Sequence, residues 1–69
     1  MFEKFQILTT SCPIYKKPSV KSELETEGLF GETFYLKESL STWGYGFLET
    51  DGYYGWVQIK NLGKNTYLK

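Results

Sequence analysis

Apolar and polar positions alternate along much of the chain in short runs, and turn-forming residues separate these runs. A two-residue period over about four to eight residues is typical of β-strands that bury one face. Glycines recur too closely to leave room for a helix of about three turns, so the pattern predicts an all-β domain. The predicted strands are residues 5–9, 24–29, 33–38, 43–49 and 53–59.

The segments between the predicted strands suggest how they connect. Residues 10–22 are predicted to form a loop, because Pro13 and Pro18 fit poorly inside strands. Asp51 and Gly52 predict a tight hairpin turn. A short 3₁₀ turn is expected at residues 60–63, and a tail or a last short strand at residues 65–69. Together these features predict a small SH3-like barrel of five to six strands.

The predicted barrel is one domain over residues 1–69, with its core at about residues 7–63. An oligonucleotide-binding barrel is the nearest alternative, but that fold usually needs a longer chain. A chain of 69 residues buries only a modest core. Its two Trp, six Tyr and five Phe supply large buried area per residue, which suits so small a barrel.

Charge argues against two classes of partner. Eight basic and eight acidic residues give a formal net charge of zero. Nucleic-acid binders usually present a basic face, and docking on anionic lipid also needs positive charge. No apolar run is long enough to span a membrane. Residues 1–8 lack the apolar stretch of a signal peptide, and the compartment, cytoplasm or cell envelope, stays open.

The chain also lacks residues for catalysis. Cys12 is the single cysteine and there is no histidine, so a nucleophilic thiolate would have no base beside it. The same shortage argues against an ordinary zinc site. We therefore expect a chain without enzymatic activity or cofactor, with Cys12 partly buried in the loop before Pro13.

One segment is specific enough to indicate a family. The run from Asp51 to Val57, Asp-Gly-Tyr-Tyr-Gly-Trp-Val, resembles the Asp-Gly-Tyr-x-Gly-Trp-Val signature of bacterial SH3 domains. The apolar-charged-Pro-Ser stretch at residues 14–19 and the Leu-Phe-Gly-Glu turn at residues 29–32 follow in the order of that family. The resemblance covers about residues 7–63.

The signature looks most like the version found in front of NlpC-type cysteine peptidases, which cut between D-glutamate and a diamino acid in cell-wall peptides. In that family the peptidase domain supplies the catalytic Cys and His. The resemblance implies that the SH3 domain helps to recognise the free amino end of the peptide, with an acidic side chain and a tyrosine.

Carried over to this chain, the resemblance indicates Tyr53 as the ligand-facing tyrosine, with Glu23 or Glu25 as its acidic partner. A carboxylate beside a tyrosine hydroxyl can accept two of the three hydrogen bonds that an ammonium group donates. The same glutamates could instead protect an edge strand from aggregation, and this alternative stays open for each of them.

Trp43, Tyr45 and Trp56 are further candidates for ligand contact. Trp43 and Tyr45 alternate with Gly44 and Gly46, so the rings share one face of a strand. Burial of area alone would turn them inward, whereas the register of the resembled family turns them outward. An outward aromatic stripe would favour a ligand surface, while barrel packing is the alternative for Trp56.

The chain departs from the family pattern at Gly44 and Gly46, where larger residues are expected. Gly46 leaves a core position that neighbouring aromatic rings or a bulge must fill. The first functional hypothesis is a module that positions peptidoglycan peptides, its partners being the peptide or the catalytic domain of a cysteine peptidase. The alternative is a free-standing module that binds a peptide segment on its aromatic surface.

Overall fold

The computed structural model describes residues 2–64, which form seven short antiparallel strands and one turn of 3₁₀ helix. The all-β prediction is confirmed. The strands are β1 Glu3–Ile7, β2 Ser11–Tyr15, β3 Leu24–Leu29, β4 Thr33–Leu40, β5 Trp43–Leu48, β6 Tyr54–Gln58 and β7 Leu62–Lys64, and the 3₁₀ turn Ile59–Asn61 joins β6 to β7.

The strands follow the order β3-β2-β6-β5-β4-β1-β7 in one curled sheet. The curl brings β1 against β3, because the Ile7 side chain lies 3.3 Å from where a Cβ on Gly28 would be. Two backbone hydrogen bonds tie the end of β1 to the β3–β4 turn: Ile7 N–H donates to the Glu32 carbonyl over 2.9 Å, and Gly31 N–H donates to the Ile7 carbonyl over 2.8 Å. The sheet thus encloses a small barrel.

The barrel interior is filled by side chains from five of the strands. Phe34 is its largest buried side chain, and its ring lies 2.9 Å from where a Cβ on Gly46 would sit. The backbone carbonyl of Tyr35 on β4 lies nearer still, and the β4–β5 register shifts just beyond Leu36, the partner of Gly46. The aromatic ring and the neighbouring backbone therefore fill the space together. The fully buried apolar side chains are Ile7, Cys12, Ile14, Phe34, Leu48 and Val57.

The predicted loop at residues 10–22 is wrong in its first part, because β2 occupies Ser11–Tyr15. Cys12 and Ile14 alternate as buried core residues, so Cys12 is a strand residue with no exposure. Pro13 pairs only with β3, and β6 joins β2 at Tyr15 alone. The strand thus has an open edge at Pro13, where a proline need not remove a ladder hydrogen bond.

Element ends also differ from the prediction. β1 begins and ends two residues before the predicted 5–9, and the 3₁₀ turn begins one residue earlier than predicted, which leaves residues 62–64 to pair as β7. The tail or strand expected at residues 65–69 lies outside the described residues. No helix within residues 2–64 is long and apolar enough to cross a membrane.

Candidate ligand-binding site

The aromatic residues of β5 point outward. Gly44, Gly46 and Leu48 are buried, while the alternating rings of Trp43 and Tyr45 are half-buried. The outward alternative is therefore the observed one. The reason is steric, because Phe34 and Leu36 from β4 already fill the interior opposite the two glycines.

Rings on the neighbouring strands extend this surface. Tyr45 lies opposite Trp56 on β6, with ring centroids 5.0 Å apart, and Phe47 lies opposite Tyr54, also at 5.0 Å. Tyr45 and Tyr54 link the two pairs at 5.7 Å. On the other side, Tyr15 of β2 pairs with Trp56 in register, and its ring meets Trp43 edge-on at 5.6 Å. We call this surface the aromatic face: Tyr15, Trp43, Tyr45, Phe47, Tyr54 and Trp56.

The turn between β5 and β6 is fastened to β3 by Asp51. One oxygen of this carboxylate, Oδ1, accepts the backbone N–H of Tyr53 at 3.1 Å, and Oδ2 accepts the Thr26 hydroxyl at 3.0 Å. Gly52 supplies a positive φ of 73° within the turn, a conformation that favours glycine. Tyr53 lies just before β6, outside the strand predicted for it, and is 56 % exposed.

Glu25 lies beside the start of β6 because of an irregularity in β3. Ile14 pairs with Thr26 and Tyr15 with Leu24, so Glu25 is the extra residue between the two pairs. Its Cβ lies 3.6 Å from where a Cβ on Gly55 would sit, two residues after Tyr53. The Glu25 side chain therefore flanks the segment that carries Tyr53. We call this group the hairpin-tip cluster: Glu25, Thr26, Asp51 and Tyr53.

The two predicted acidic partners differ in their surroundings. Glu23 is 84 % exposed, and its Oε1 lies 3.4 Å from Nζ of Lys16. Glu25 is half-buried, and within residues 2–64 its carboxylate has no hydrogen-bond or ion-pair partner. The structure thus brings Glu25 to the Tyr53 segment and pairs Glu23 with a lysine of its own.

Five residues of these surfaces are not among the candidates from the sequence: Tyr15, Thr26, Phe47, Asp51 and Tyr54. Tyr15 was assigned to a loop, so its place beside Trp56 was not expected. Thr26 and Asp51 were interpreted as strand and turn residues only. The Asp-Gly pair carried a signal for the turn, but the contact between Asp51 and Thr26 depends on the register of β3.

Cys12 offers no catalytic group. Its side chain is fully buried, and burial raises the pKa of the thiol to about 11, while a weak hydrogen bond from Asn61 Nδ2 at 3.8 Å acts against this rise. The thiol is therefore neutral at physiological pH, and the neutral form is a poor nucleophile. Residues 2–64 contain no group of three His, Cys, Asp or Glu side chains that could hold a metal ion.

Comparison with known proteins places this geometry in a family. A family model described as the bacterial dipeptidyl-peptidase SH3 domain matches residues 14–62, well over half of the chain. Searches of curated proteins and of solved structures return no match. The matched stretch includes every residue of the aromatic face and of the hairpin-tip cluster.

Proposed function

The chain belongs to the bacterial dipeptidyl-peptidase SH3 domain family, and from this premise we propose that it recognises cell-wall peptides for an NlpC-type cysteine peptidase. An SH3 module of a bacterial peptidase is an accessory binding domain and is not itself catalytic. The proposal adds a ligand and a mode of binding. The hairpin-tip cluster binds the free amino end of a peptidoglycan peptide.

The observation that carries the proposal is the carboxylate of Glu25, which is half-buried and without a partner among the described residues beside the Tyr53 segment. A terminal ammonium has three donors and a positive charge. The Glu25 carboxylate would accept one hydrogen bond and supply the opposite charge, and the Tyr53 hydroxyl would accept a second. Hydrogen bonds between ionised groups are stronger than those between neutral groups.

Glu25 suits this role better than Glu23. A half-buried carboxylate is screened less by water and salt, so its attraction for a cation is stronger. Glu23 is almost fully exposed and already has Lys16 as a counter-ion. Asp51 is less suited to the role, because each of its oxygens already accepts a hydrogen bond that holds the turn.

The test is a titration of the labelled domain with the tripeptide L-Ala-D-Glu-diamino acid, followed through backbone amide shifts. We expect shifts centred on Tyr53 and Glu25, and we expect them to vanish when the amino end of the peptide is acetylated. The Glu25→Gln variant should bind at least about tenfold more weakly, because a hydrogen bond to a charged group contributes about 1.5–3 kcal/mol.

Glu23→Gln is the matched control, since it removes the same charge from the same loop and strand region and should leave the affinity within about twofold. Binding that is insensitive to acetylation, or equally weakened by both variants, would contradict the assignment of the amine to Glu25. The absence of any shift with the free peptide would contradict the proposed function of this domain.

A further inference from the structure

We propose that the aromatic face binds a neutral oligosaccharide, so that the domain holds the sugar part of a cell-wall fragment separately from its peptide. This inference rests on the proposed cell-wall ligand but uses a different surface from the hairpin-tip cluster. Four properties of the aromatic face identify its occupant: its charge, its polar groups, its size and its surface shape.

The charge of the aromatic face favours an uncharged ligand. All six of its members are aromatic. Its two cross-strand pairs, Tyr45 with Trp56 and Phe47 with Tyr54, contain no charged residue. Charge begins only at the rim, where Glu38 lies opposite Tyr45 on β4. An anion placed over the centre would lose hydration and meet only the negative faces of the rings.

The polar groups of the aromatic face favour a ligand rich in hydroxyls. Within residues 2–64, the hydroxyls of Tyr15, Tyr45 and Tyr54 and the indole N–H groups of Trp43 and Trp56 form no hydrogen bond. A purely apolar partner would cover these groups and leave them unpaired, at a cost of about 1–3 kcal/mol each. A sugar ring can pack its C–H face on an aromatic ring while its hydroxyls pair with such groups.

The size of the aromatic face is too small for a stable protein partner. Tyr15, Trp56 and Tyr45 lie on three adjacent strands, which span about 10 Å, and Trp43 to Phe47 along β5 spans about 13 Å. The rings of Phe2 and Tyr35 extend this footprint beyond Phe47, at centroid distances of 5.3 and 5.2 Å. The whole footprint is still far below the 800 Å² or so that each partner buries in a standard protein complex. A short oligosaccharide fits it.

The surface shape of the aromatic face disfavours a proline-rich peptide. Such peptides dock in grooves between aromatic rings. Here the ring of Tyr45 lies 5.0 Å from Trp56 and 5.7 Å from Tyr54, and the ring of Tyr54 lies 5.0 Å from Phe47 (centroid distances), so no groove separates them. Three cavities of the described residues, of about 490, 500 and 370 Å³, are lined by residues other than these rings. The rings therefore fill the spaces between one another.

A cavity that offers several polar side chains adjoins the aromatic face at Trp43. This cavity of about 490 Å³ is lined by Ser41, Thr42, Gln58, Ile59 and Lys60. Thr42 precedes Trp43 in the chain, and Gln58 pairs with Trp43 across the strands. A sugar chain that lies over Trp43 and Tyr45 can thus extend into a site with hydroxyl and amide groups, as a chain of hydroxylated rings requires.

The test uses the β-linked tetramer of N-acetylglucosamine as the probe, with amide and indole N–H shifts as the readout. We expect millimolar affinity and shifts centred on Trp43, Tyr45 and Trp56. Tyr45→Phe and Tyr54→Phe remove one hydroxyl each while keeping the ring, and each should weaken binding by about three- to tenfold. Phe30→Ala is the matched control, because Phe30 is an aromatic residue, 58 % exposed, outside the aromatic face.

Absence of shifts on the aromatic face with millimolar tetramer would overturn the inference. Shifts there with a proline-rich decapeptide but not with the tetramer would also overturn it. Burial of these rings between two copies of the domain at high protein concentration would overturn it as well. Failure of the proposed function is distinguishable, because Glu25→Gln should weaken peptide binding at least about tenfold and leave tetramer binding unchanged. The two tyrosine variants should show the opposite pattern.

Discussion

Cys12 and Asn61 form a buried polar contact that joins β2 to the 3₁₀ turn. Asn61 is only 8 % exposed, its Nδ2 lies 3.8 Å from the Cys12 sulfur, and its backbone carbonyl accepts the N–H of Leu8 at 2.9 Å. Sequence analysis assigned Cys12 to a loop because Pro13 follows it. The buried position explains why a cysteine without any base is present, since it acts as a small core side chain.

The buried thiol predicts a pH-dependent stability in the alkaline range. Its pKa is about 11 when folded, against 9.0 for an exposed thiol. Because the folded pKa is raised, the contribution of Cys12 is fully present below pH 9 and is lost as the pH rises through 11. By urea unfolding, wild-type stability should fall by about 2–3 kcal/mol more than that of Cys12→Ala over this range.

The cavity that Cys12→Ala creates lowers stability by the same amount at every pH. Comparing how steeply the stability of each protein falls with pH therefore separates the effect of the thiol from that of the cavity. Tyrosine and lysine titration acts on both proteins alike and cancels in the difference. Parallel pH curves for the two proteins would show that the thiol is ionised to the same extent in the folded and unfolded states.

At the scale of single elements, β3 and β2 show what a sequence can and cannot predict. β3 occupies the predicted residues 24–29, because a clean alternation lies between turn signals. For β2, Pro13 predicts a loop because proline is rare inside strands, although Cys12 and Ile14 alternate as apolar residues on either side of it. The irregular pairing that brings Glu25 to the start of β6 is a property of two strands together, so neither strand pattern could reveal it.

The contact between β3 and the β5–β6 turn predicts that Thr26 positions Tyr53. The Thr26→Val variant keeps the shape of the side chain but loses the hydrogen bond to Asp51. We expect the exchange rate of the Tyr53 amide proton to rise and binding of the free-amine tripeptide to weaken several-fold. Because the hydrogen bond is exposed, the free energy of unfolding should fall by only about 0.5–1.5 kcal/mol.

Ser11→Ala is the matched control for this prediction. It removes a hydroxyl that donates to the Glu27 carboxylate between β2 and β3, one residue along β3 from Thr26, and that makes no hydrogen bond to the turn. The control should change stability by a similar amount and leave both Tyr53 exchange and tripeptide affinity unaltered. Equal effects of the two variants on affinity would mean that general loosening of β3, rather than the turn, is responsible.

At the scale of the whole molecule, one short segment serves both surfaces. From residue 53 onward, Tyr53 belongs to the hairpin-tip cluster, Tyr54 and Trp56 belong to the aromatic face, and Gly55 and Val57 face the core. The sequence motif could therefore indicate part of each surface. The remaining members come from β2, β3 and β5, and their placement depends on how the barrel closes.

The zero net charge predicts that salt will separate the two binding surfaces. Without a net charge the molecule has little long-range field, so salt acts mainly on local ion pairs. At 1 M salt the screening length is about 3 Å, against about 10 Å at 0.1 M. The tripeptide should therefore bind somewhat more weakly at the higher salt concentration, because salt still screens part of the attraction between its ammonium and the half-buried carboxylate of Glu25.

Tetramer binding to the aromatic face should stay the same or strengthen slightly across this range, since neither the tetramer nor the six rings carry a charge. Dissociation constants for both probes, measured from amide shifts at the two salt concentrations, test this difference. Glu25→Gln provides the control, because whatever tripeptide affinity remains in it should no longer depend on salt. If both affinities fell in parallel, the two probes would share one charged site, and the assignment of separate surfaces to amine and sugar would be wrong.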